Sequence, residues 1–502
     1  MNKENRDKPV DLAAEPIALE QLYTKVRLPD QWPENDLLEK IRGQLDELNA
    51  YVCVLDDDPT GTQTVHNVAV TTEWSYEQMR AVYLKSKELK TNVIYISTNS
   101  RNGNAEIAEN ISYQISSGIE KLAQSEKFFP IIVSRSDSTL RGHLVAETRG
   151  IMQGSSVDYD AIIFAPFFEE GGRITLGINQ NIIHWVIQSK NGREIAYPAV
   201  LTDYARDTDF GYDSLFLADY LIEKHAKQSQ VLKRQDILVI TIDEIRKQGY
   251  EHIAQRLADM QGQKFVIVSA VTYRDLEVFT LAMLNSMLHN GKRFLVRSAA
   301  SIVRTLGGIE SRTLLSVDDI YPQRPSRNNG LVIVGSYVKL TQLQFEHTRR
   351  TLDDLVNVEL DVKNVLNDDL RRQTELKAIK AIDEAFNNNK DVLFFTSRQQ
   401  VVSDKGQIAV GQIVSNSVIN IMRQLKNAPG WVVAKGGITS YNVAKKGLNL
   451  KQALVKGQIK NGIPVWAADS GAILIIVPGN VGEEDTLTQI IRELKKPKAN
   501  EV

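Results

Sequence analysis

The chain holds a single cysteine, Cys53. That excludes an intrachain disulfide framework and a clustered-cysteine zinc site. Inside the apolar run "YVCVL" the thiol reads as buried and inert. Long hydrophobic runs are missing too. No stretch approaches the roughly 18 uninterrupted apolar residues of a membrane-spanning helix, and the opening "MNKENRDKPVDLAAEP" lacks the apolar core of a signal peptide. A soluble, cytoplasmic protein with no membrane partner is expected. Net charge is also scarce: 60 basic residues against 62 acidic ones leave a formal charge of -2. Composition therefore gives no reason to expect a nucleic-acid partner, and no helix-turn-helix or basic patch stands out.

What the chain has is length and a core. Its 502 residues, 42% of them hydrophobic, suffice for two or more domains. Residues 1–50 are charged and loosely periodic and read as an accessory segment, a loop followed by one short helix. From Tyr51 onward, short runs rich in Val, Ile and Phe alternate with stretches of helical period: "YVCVL", "TNVIYIS", "FFPIIVS", "YDAIIFAP", "DILVIT", "KFVIVSA" and "KRFLVRS". Strands apolar on both faces and separated by crossover-length segments indicate parallel sheets covered by helices. The polar, proline-bearing stretch 318–330 interrupts this rhythm and reads as a linker. The pattern then resumes with "LVIVGSY", "DVLFFTS", "GWVVAKGG" and "GAILIIVPGN". The expected fold is α/β: two α/β domains with mainly parallel sheets, at 51–317 and 331–493, and an inter-domain active-site cleft where strand ends supply the chemistry.

Polar clusters follow the apolar runs. In the first domain they are Asp56, Asp57 and Asp58 after "YVCVL", then "STNSRNG", "SRSDSTLRGH" and "PFFEEGGRIT". In "DDDPTG", Pro59 disfavours the α conformation at Asp58, so the acids stand where the chain leaves its strand. Asp57 or Asp58 can orient a substrate hydroxyl and accept its proton, with Asp137 next in line. A plain capping and turn cluster is the competing reading. Arg135 and Arg141 carry the forked donors that match a carboxylate, while Ser136 and Asp137, with Ser138 and Thr139, can bond vicinal hydroxyls. That set suits a small hydroxy acid. His143, opening a helix, reads as structural, and His66 has no partner pattern of a metal site; no protein-held metal is expected.

The second domain carries loops of another kind. "VAKGGITS" sets Gly436 and Gly437 after a strand, with Ile438, Thr439 and Ser440 leading to a helix near Tyr441. "VPGNVGEEDT" does the same with Gly479, and "IVGSYVKLT" adds Ser336. Neither glycine loop has the spacing of a Walker or dinucleotide motif, yet exposed N–H groups after strands are how phosphates are held.

Together, "DDDPTGTQT", "SRSDSTLRGH", "FLVRSAASIVR", "GSYVKLTQLQ", "KGGITS" and "VPGNVGEEDTL", spanning about 51–490, resemble the four-carbon acid sugar kinase family. The resemblance implies an amino-terminal domain for a sugar acid, a carboxy-terminal domain for ATP, and ATP-dependent phosphorylation of the acid, with Mg2+ arriving on the nucleotide. It also implies nucleotide contacts at Ser336, at the loop Gly436, Gly437, Ile438 and Thr439, and at Gly479. The family's D-D-F-T-G aligns with Asp57, Asp58, Pro59, Thr60 and Gly61, with Pro59 in place of the aromatic residue. That departure, the extended amino terminus and "VIVSAVTYRD" place the chain in a divergent branch. Competing readings are a metal-assisted hydrolase or aldolase acting on a phosphorylated hydroxy acid, and a non-catalytic sugar-acid or nucleotide sensor. The preferred acid is not legible, and a homodimer is allowed.

Overall fold

The computed structural model describes residues 15–262, 264–321, 329–398 and 407–496. They group into two compact units that are not consecutive stretches of chain. One comprises the described residues up to Asp57 with Asn92–Ile94 and Gly103–Glu310. The other comprises Asp58–Thr91, Tyr95–Asn102 and the described residues from Ser311 onward.

In the first unit, six strands run parallel in the order Ile237–Ile240, Lys264–Val268, Ala161–Ala165, Phe294–Ser298, Phe129–Arg135, Ala50–Asp56. Their residues are almost all buried, as expected for strands covered on both faces. Register places Asp56 opposite Arg135, Arg135 opposite Ser298, and Ser298 opposite Ala165. One row of strand ends therefore carries most of the polar residues. Helix Ala105–Glu126 packs closely on Leu144–Gly154, because Gly150 and Gly154 present no side chain: a Cβ on either would lie 2.2 or 2.3 Å from a carbonyl oxygen of the facing helix.

Antiparallel structure is more prominent than the sequence suggests. Arg173–Ile178, Asn181–Lys190 and Arg193–Pro198 form a meander whose last strand pairs with Ile17–Ala18. The amino-terminal segment makes two helices, Leu19–Val26 and Leu37–Glu47, where one was expected. It is bound into the first unit by Arg42 Nη1 donating to the Gly308 carbonyl at 2.9 Å and Arg246 Nη1 to that of Pro29 at 2.7 Å.

In the second unit, five strands run parallel in the order Ile473–Val477, Trp431–Lys435, Gly330–Val334, Val392–Thr396, Val356–Leu360. Beyond Ile473–Val477 the sheet continues antiparallel through Ile463–Ala467, Gln452–Lys460 and Val68–Thr71. The described part of the linker is packed, with Ile320 and Tyr321, beside Val317 just before it, in the core of this unit. No helix among the described residues is long and apolar enough to cross a membrane.

Arg246 tests how the amino-terminal segment is anchored. Its guanidinium forms a two-pronged pair with Asp275, at 2.7 and 2.9 Å, and both side chains are buried. Asp275 also accepts the N–H groups of Val271 and Thr272. Asp275→Ala leaves a buried cation uncompensated, so denaturant unfolding should show a loss of roughly 3–5 kcal/mol. A loss under about 1 kcal/mol contradicts this role.

Candidate functional site

The stretch "DDDPTG" resolves into two environments. Asp56 and Asp57 lie at the buried end of the first parallel strand. Arg135, in register on the next strand, places Nη1 3.0 Å from Asp56 Oδ1 and 3.7 Å from Asp57 Oδ1. Ser136 sets its hydroxyl 2.6 Å from Asp57 Oδ2 and 3.0 Å from the Arg141 carbonyl; its single proton goes to the charged acceptor. Gly142, at φ +125°, closes over this group: a Cβ there would stand 2.3 Å from Ser136 Oγ and 3.1 Å from Asp57 Oδ2. Only glycine fits both the dihedral and the space.

The loop between Arg135 and Gly142 is fixed from several sides. Asp137 accepts from Arg141 Nε at 2.7 Å and from the Thr139 hydroxyl. Tyr212 and Tyr220 donate their hydroxyls to the carbonyls of Thr139 and Leu140, at 3.1 and 2.7 Å. His184 Nε2 donates to the Ser138 carbonyl at 2.6 Å, and burial pulls this imidazole down to about 4, so it serves as a neutral donor. Of the two candidate arginines, Arg135 is buried against the strand-end acids. Arg141 is partly exposed, 3.6 Å from Asp207, and faces the Tyr204 ring together with Arg173. His143 Nε2 bonds the Gly103 carbonyl at 2.9 Å, in keeping with a structural role. At the far end of the row, Glu170 accepts the Tyr273 hydroxyl, which Ser301 also reaches at 3.1 Å; burial holds Glu170 above the usual carboxylate range.

Asp58 turns elsewhere. Its extended backbone, at φ −153° and ψ 133°, is the conformation Pro59 favours, and its carboxylate caps the 3₁₀ turn Pro59–Thr64 by accepting Thr60 N–H at 2.9 Å. Within the second unit that turn is held by Trp466 Nε1 donating to Thr62 Oγ1 at 2.9 Å. Asp58 Oδ2 lies 3.4 Å from Arg101 Nη1, and the carboxylate occupies the space where Gly437 has no side chain: a Cβ on Gly437 would be 2.0 Å from Oδ2.

The three loops expected to hold a nucleotide follow three neighbouring parallel strands, because Lys435 is in register with both Val334 and Val477. Gly436, at φ +107°, packs its Cα against Ser336, and a Cβ there would be 3.1 Å from Ser336 Cβ. Thr341 Oγ1 lies 3.4 Å from both Ser336 Oγ and the Gly479 carbonyl. A helical turn begins at Gly437 rather than near Tyr441 and places Thr439 against Gly335. Ile438 is exposed beside it, with Tyr337 and Val338 also exposed. Arg398 Nη2 donates to the Ser336 carbonyl at 2.7 Å. The structure thus brings Ser336, Gly436, Gly437, Thr439 and Gly479 together in the second unit, and Asp57, Arg135, Ser136, Asp137 and Arg141 together in the first. Among the described residues no group of three or more His, Cys, Asp or Glu side chains is arranged to hold a metal ion.

The packing of Asp58 on Gly437 can be measured. Gly437→Ala should destabilise the protein by about 1–3 kcal/mol through overpacking. In an Asp58→Ala background the same change should cost at least about 0.5 kcal/mol less. Additive effects in this double-mutant cycle contradict the contact.

Comparison with known proteins divides the chain in sequence order, so that Asp58–Thr91 and Tyr95–Asn102 of the second unit fall within the first match. Residues 331–487 match a family described as a nucleotide-binding C-terminal domain, and residues 52–306 one described as a sugar-binding N-terminal domain. No curated protein sequence matches the chain. A Haemophilus influenzae protein, described by its assignment to a domain family of unknown function, is similar in structure over 88% of this chain and 100% of its own, with a TM-score of 0.55 and 17% identity. A Salmonella typhimurium LT2 protein, provisionally described as a tRNA synthase, is similar over 89% of this chain and 99% of its own, with a TM-score of 0.62 and 16% identity. These likenesses establish a shared fold. The sugar-binding match extends over half of the sequence, and the chain therefore belongs to the family of proteins built on this sugar-binding N-terminal domain, here followed by a nucleotide-binding C-terminal domain.

Proposed function

We propose that this protein is an ATP-dependent kinase that phosphorylates a hydroxyl of a small sugar acid of about four carbons. The observation that carries the reading is the divergence of two consecutive aspartates. Asp57 joins Ser136 in the segment matched as sugar-binding, and Asp58 joins Gly437 in the segment matched as nucleotide-binding. Phosphoryl transfer needs an oriented hydroxyl and a held polyphosphate, and little covalent chemistry from the protein.

In this reading Arg141 receives the carboxylate of the acid. Arg135 neutralises Asp56 and Asp57, and Ser136 and Asp137 shape the surface that meets the hydroxyls. Asp57 accepts the proton of the attacking hydroxyl as its oxygen bonds to the terminal phosphorus and ADP leaves. Ser336, Gly436, Gly437, Ile438, Thr439 and Gly479 hold the nucleotide: the first N–H groups of a helical turn have no acceptor inside it, and the glycines let phosphate oxygens approach the backbone. Magnesium travelling with ATP would neutralise its phosphates, and Asp58, beside Gly437, would be the carboxylate to meet it.

Purified protein incubated with Mg2+, ATP and a panel of four-carbon acids should form ADP only when a suitable acid is present, together with the phosphorylated acid. ADP formation indifferent to the acid, or none with any acid, overturns the reading. Arg141→Lys keeps the charge but loses the fork, so KM for the acid should rise about tenfold or more with little change in KM for ATP. Equal use of an acid and its uncharged polyol contradicts the role given to Arg141.

A further inference from the structure

The strand Trp431–Lys435 ends on a lysine that the scheme above does not use. Lys435 has no exposed surface. Its Nζ donates to the Pro478 carbonyl at 2.6 Å and lies 3.4 Å from that of Gly479. Both acceptors are neutral, and among the described residues no carboxylate oxygen comes within 4.0 Å of the amine. A buried ammonium without a counterion is costly, and an aliphatic side chain would fill the same space. The position is also telling. The backbone of Lys435 leads directly into Gly436, whose N–H donates to the Val477 carbonyl at 2.8 Å, while its side chain grips the loop that carries Gly479. One residue thus ties together two of the loops assigned to the nucleotide.

We propose that Lys435 is a positioning residue for the nucleotide: binding of the polyphosphate draws a proton from solvent onto its amine, and the resulting ammonium secures the Pro478–Gly479 loop. The inference rests on the nucleotide-binding reading and deepens it. The balance is simple, since amine and proton give ammonium and no other bond changes. The free protein is poised for this step, because burial drags Lys435 down to about 7. The flanking strands Gly330–Val334 and Ile473–Val477 carry no ionisable residue. The ionisable groups on the surrounding elements include Asp58 beside Gly437, Tyr441, Lys445 and Lys446 on the following turns, Arg398 at the Ser336 carbonyl, Lys339, Glu346, His347, Arg349 and Arg350 on helix Lys339–Thr351, and Glu483, Glu484 and Asp485 beyond Gly479; desolvation is the cause that moves the amine. A phosphate seated on the glycine loops adds the missing negative charge and favours the ammonium form.

The test is calorimetric titration of the intact protein with Mg–ATP at pH 8 in two buffers of different ionisation enthalpy. The phosphates are already ionised at that pH, since their last ionisation lies near pH 6. Lys435 is then mostly neutral in the free protein, so binding should take up about half a proton or more, and ATP affinity should fall by up to about tenfold per unit as pH rises from 7 to 9. Lys435→Met should abolish both the uptake and the slope. Binding by the wild-type protein with no buffer-dependent uptake overturns this inference while leaving the nucleotide reading intact. No binding at all overturns both. The two-buffer comparison on the wild-type protein decides the matter even if the variant fails to fold.

Discussion

Negative charge buried at the end of a strand is the constraint around which the first unit is arranged. Asp56 and Asp57 are shielded from water, and ionised carboxylates persist there only when paired and hydrogen-bonded. The parallel register satisfies this by bringing Arg135 opposite Asp56. Ser136 then completes Asp57, and Gly142 must lack a side chain for the loop to close. A second buried pair, Arg297 one residue before that row with Glu147 on helix Leu144–Gly154, repeats the solution, with Ser134 as a further acceptor at 2.7 Å. The result is a polar rim whose groups are already bonded to one another.

The second unit solves a different problem, the close approach of backbone loops. Three adjacent strand ends release Ser336, Gly436–Gly437 and Gly479 on one side of the sheet. Gly436 supplies a left-handed dihedral, and Gly437 supplies the room that Asp58 takes. Beneath them lies Lys435, a lysine at the end of an otherwise apolar strand. Asp58 reaches this corner from a distant part of the chain and is paired there with Arg101.

Much of this was legible in the sequence. Runs such as "YVCVL" and "FFPIIVS" are apolar on both faces and announced parallel strands, and the polar residues after them lie in a row at the strand ends. The resemblance carried by "DDDPTGTQT" and "KGGITS" implied a sugar acid and ATP, and the family matches agree at the coarser level of a sugar-binding and a nucleotide-binding domain. What stayed hidden depends on partners distant in the chain. Val68–Thr71 pairs with Gln452–Lys460, a contact with no local signature, which moves Asp58–Thr91 out of the unit that its neighbours build. The meander from Arg173 to Pro198 mixes polar and apolar residues, with a glycine at one of its two turns, and lacked the uniform hydrophobicity that marked the other strands. Arg135 read as a free fork because its acceptor, Asp56, lies 79 residues earlier. Lys435 gave no signal in the sequence, because the carbonyl that its amine bonds comes 43 residues later.

The division of labour proposed for these consecutive aspartates gives Asp57 to the sugar acid and Asp58 to the nucleotide. Its most direct measurement is turnover and binding of both ligands in Asp57→Asn and Asp58→Asn, each shown to be folded. The account predicts that Asp57→Asn lowers kcat by roughly 10²- to 10⁴-fold while Mg–ATP still binds with near-normal affinity, and that Asp58→Asn weakens Mg–ATP binding and leaves the affinity for the acid alone. Near-normal turnover in both variants would show the run of aspartates to be a capping and turn device, and would send the search for the base to Asp137.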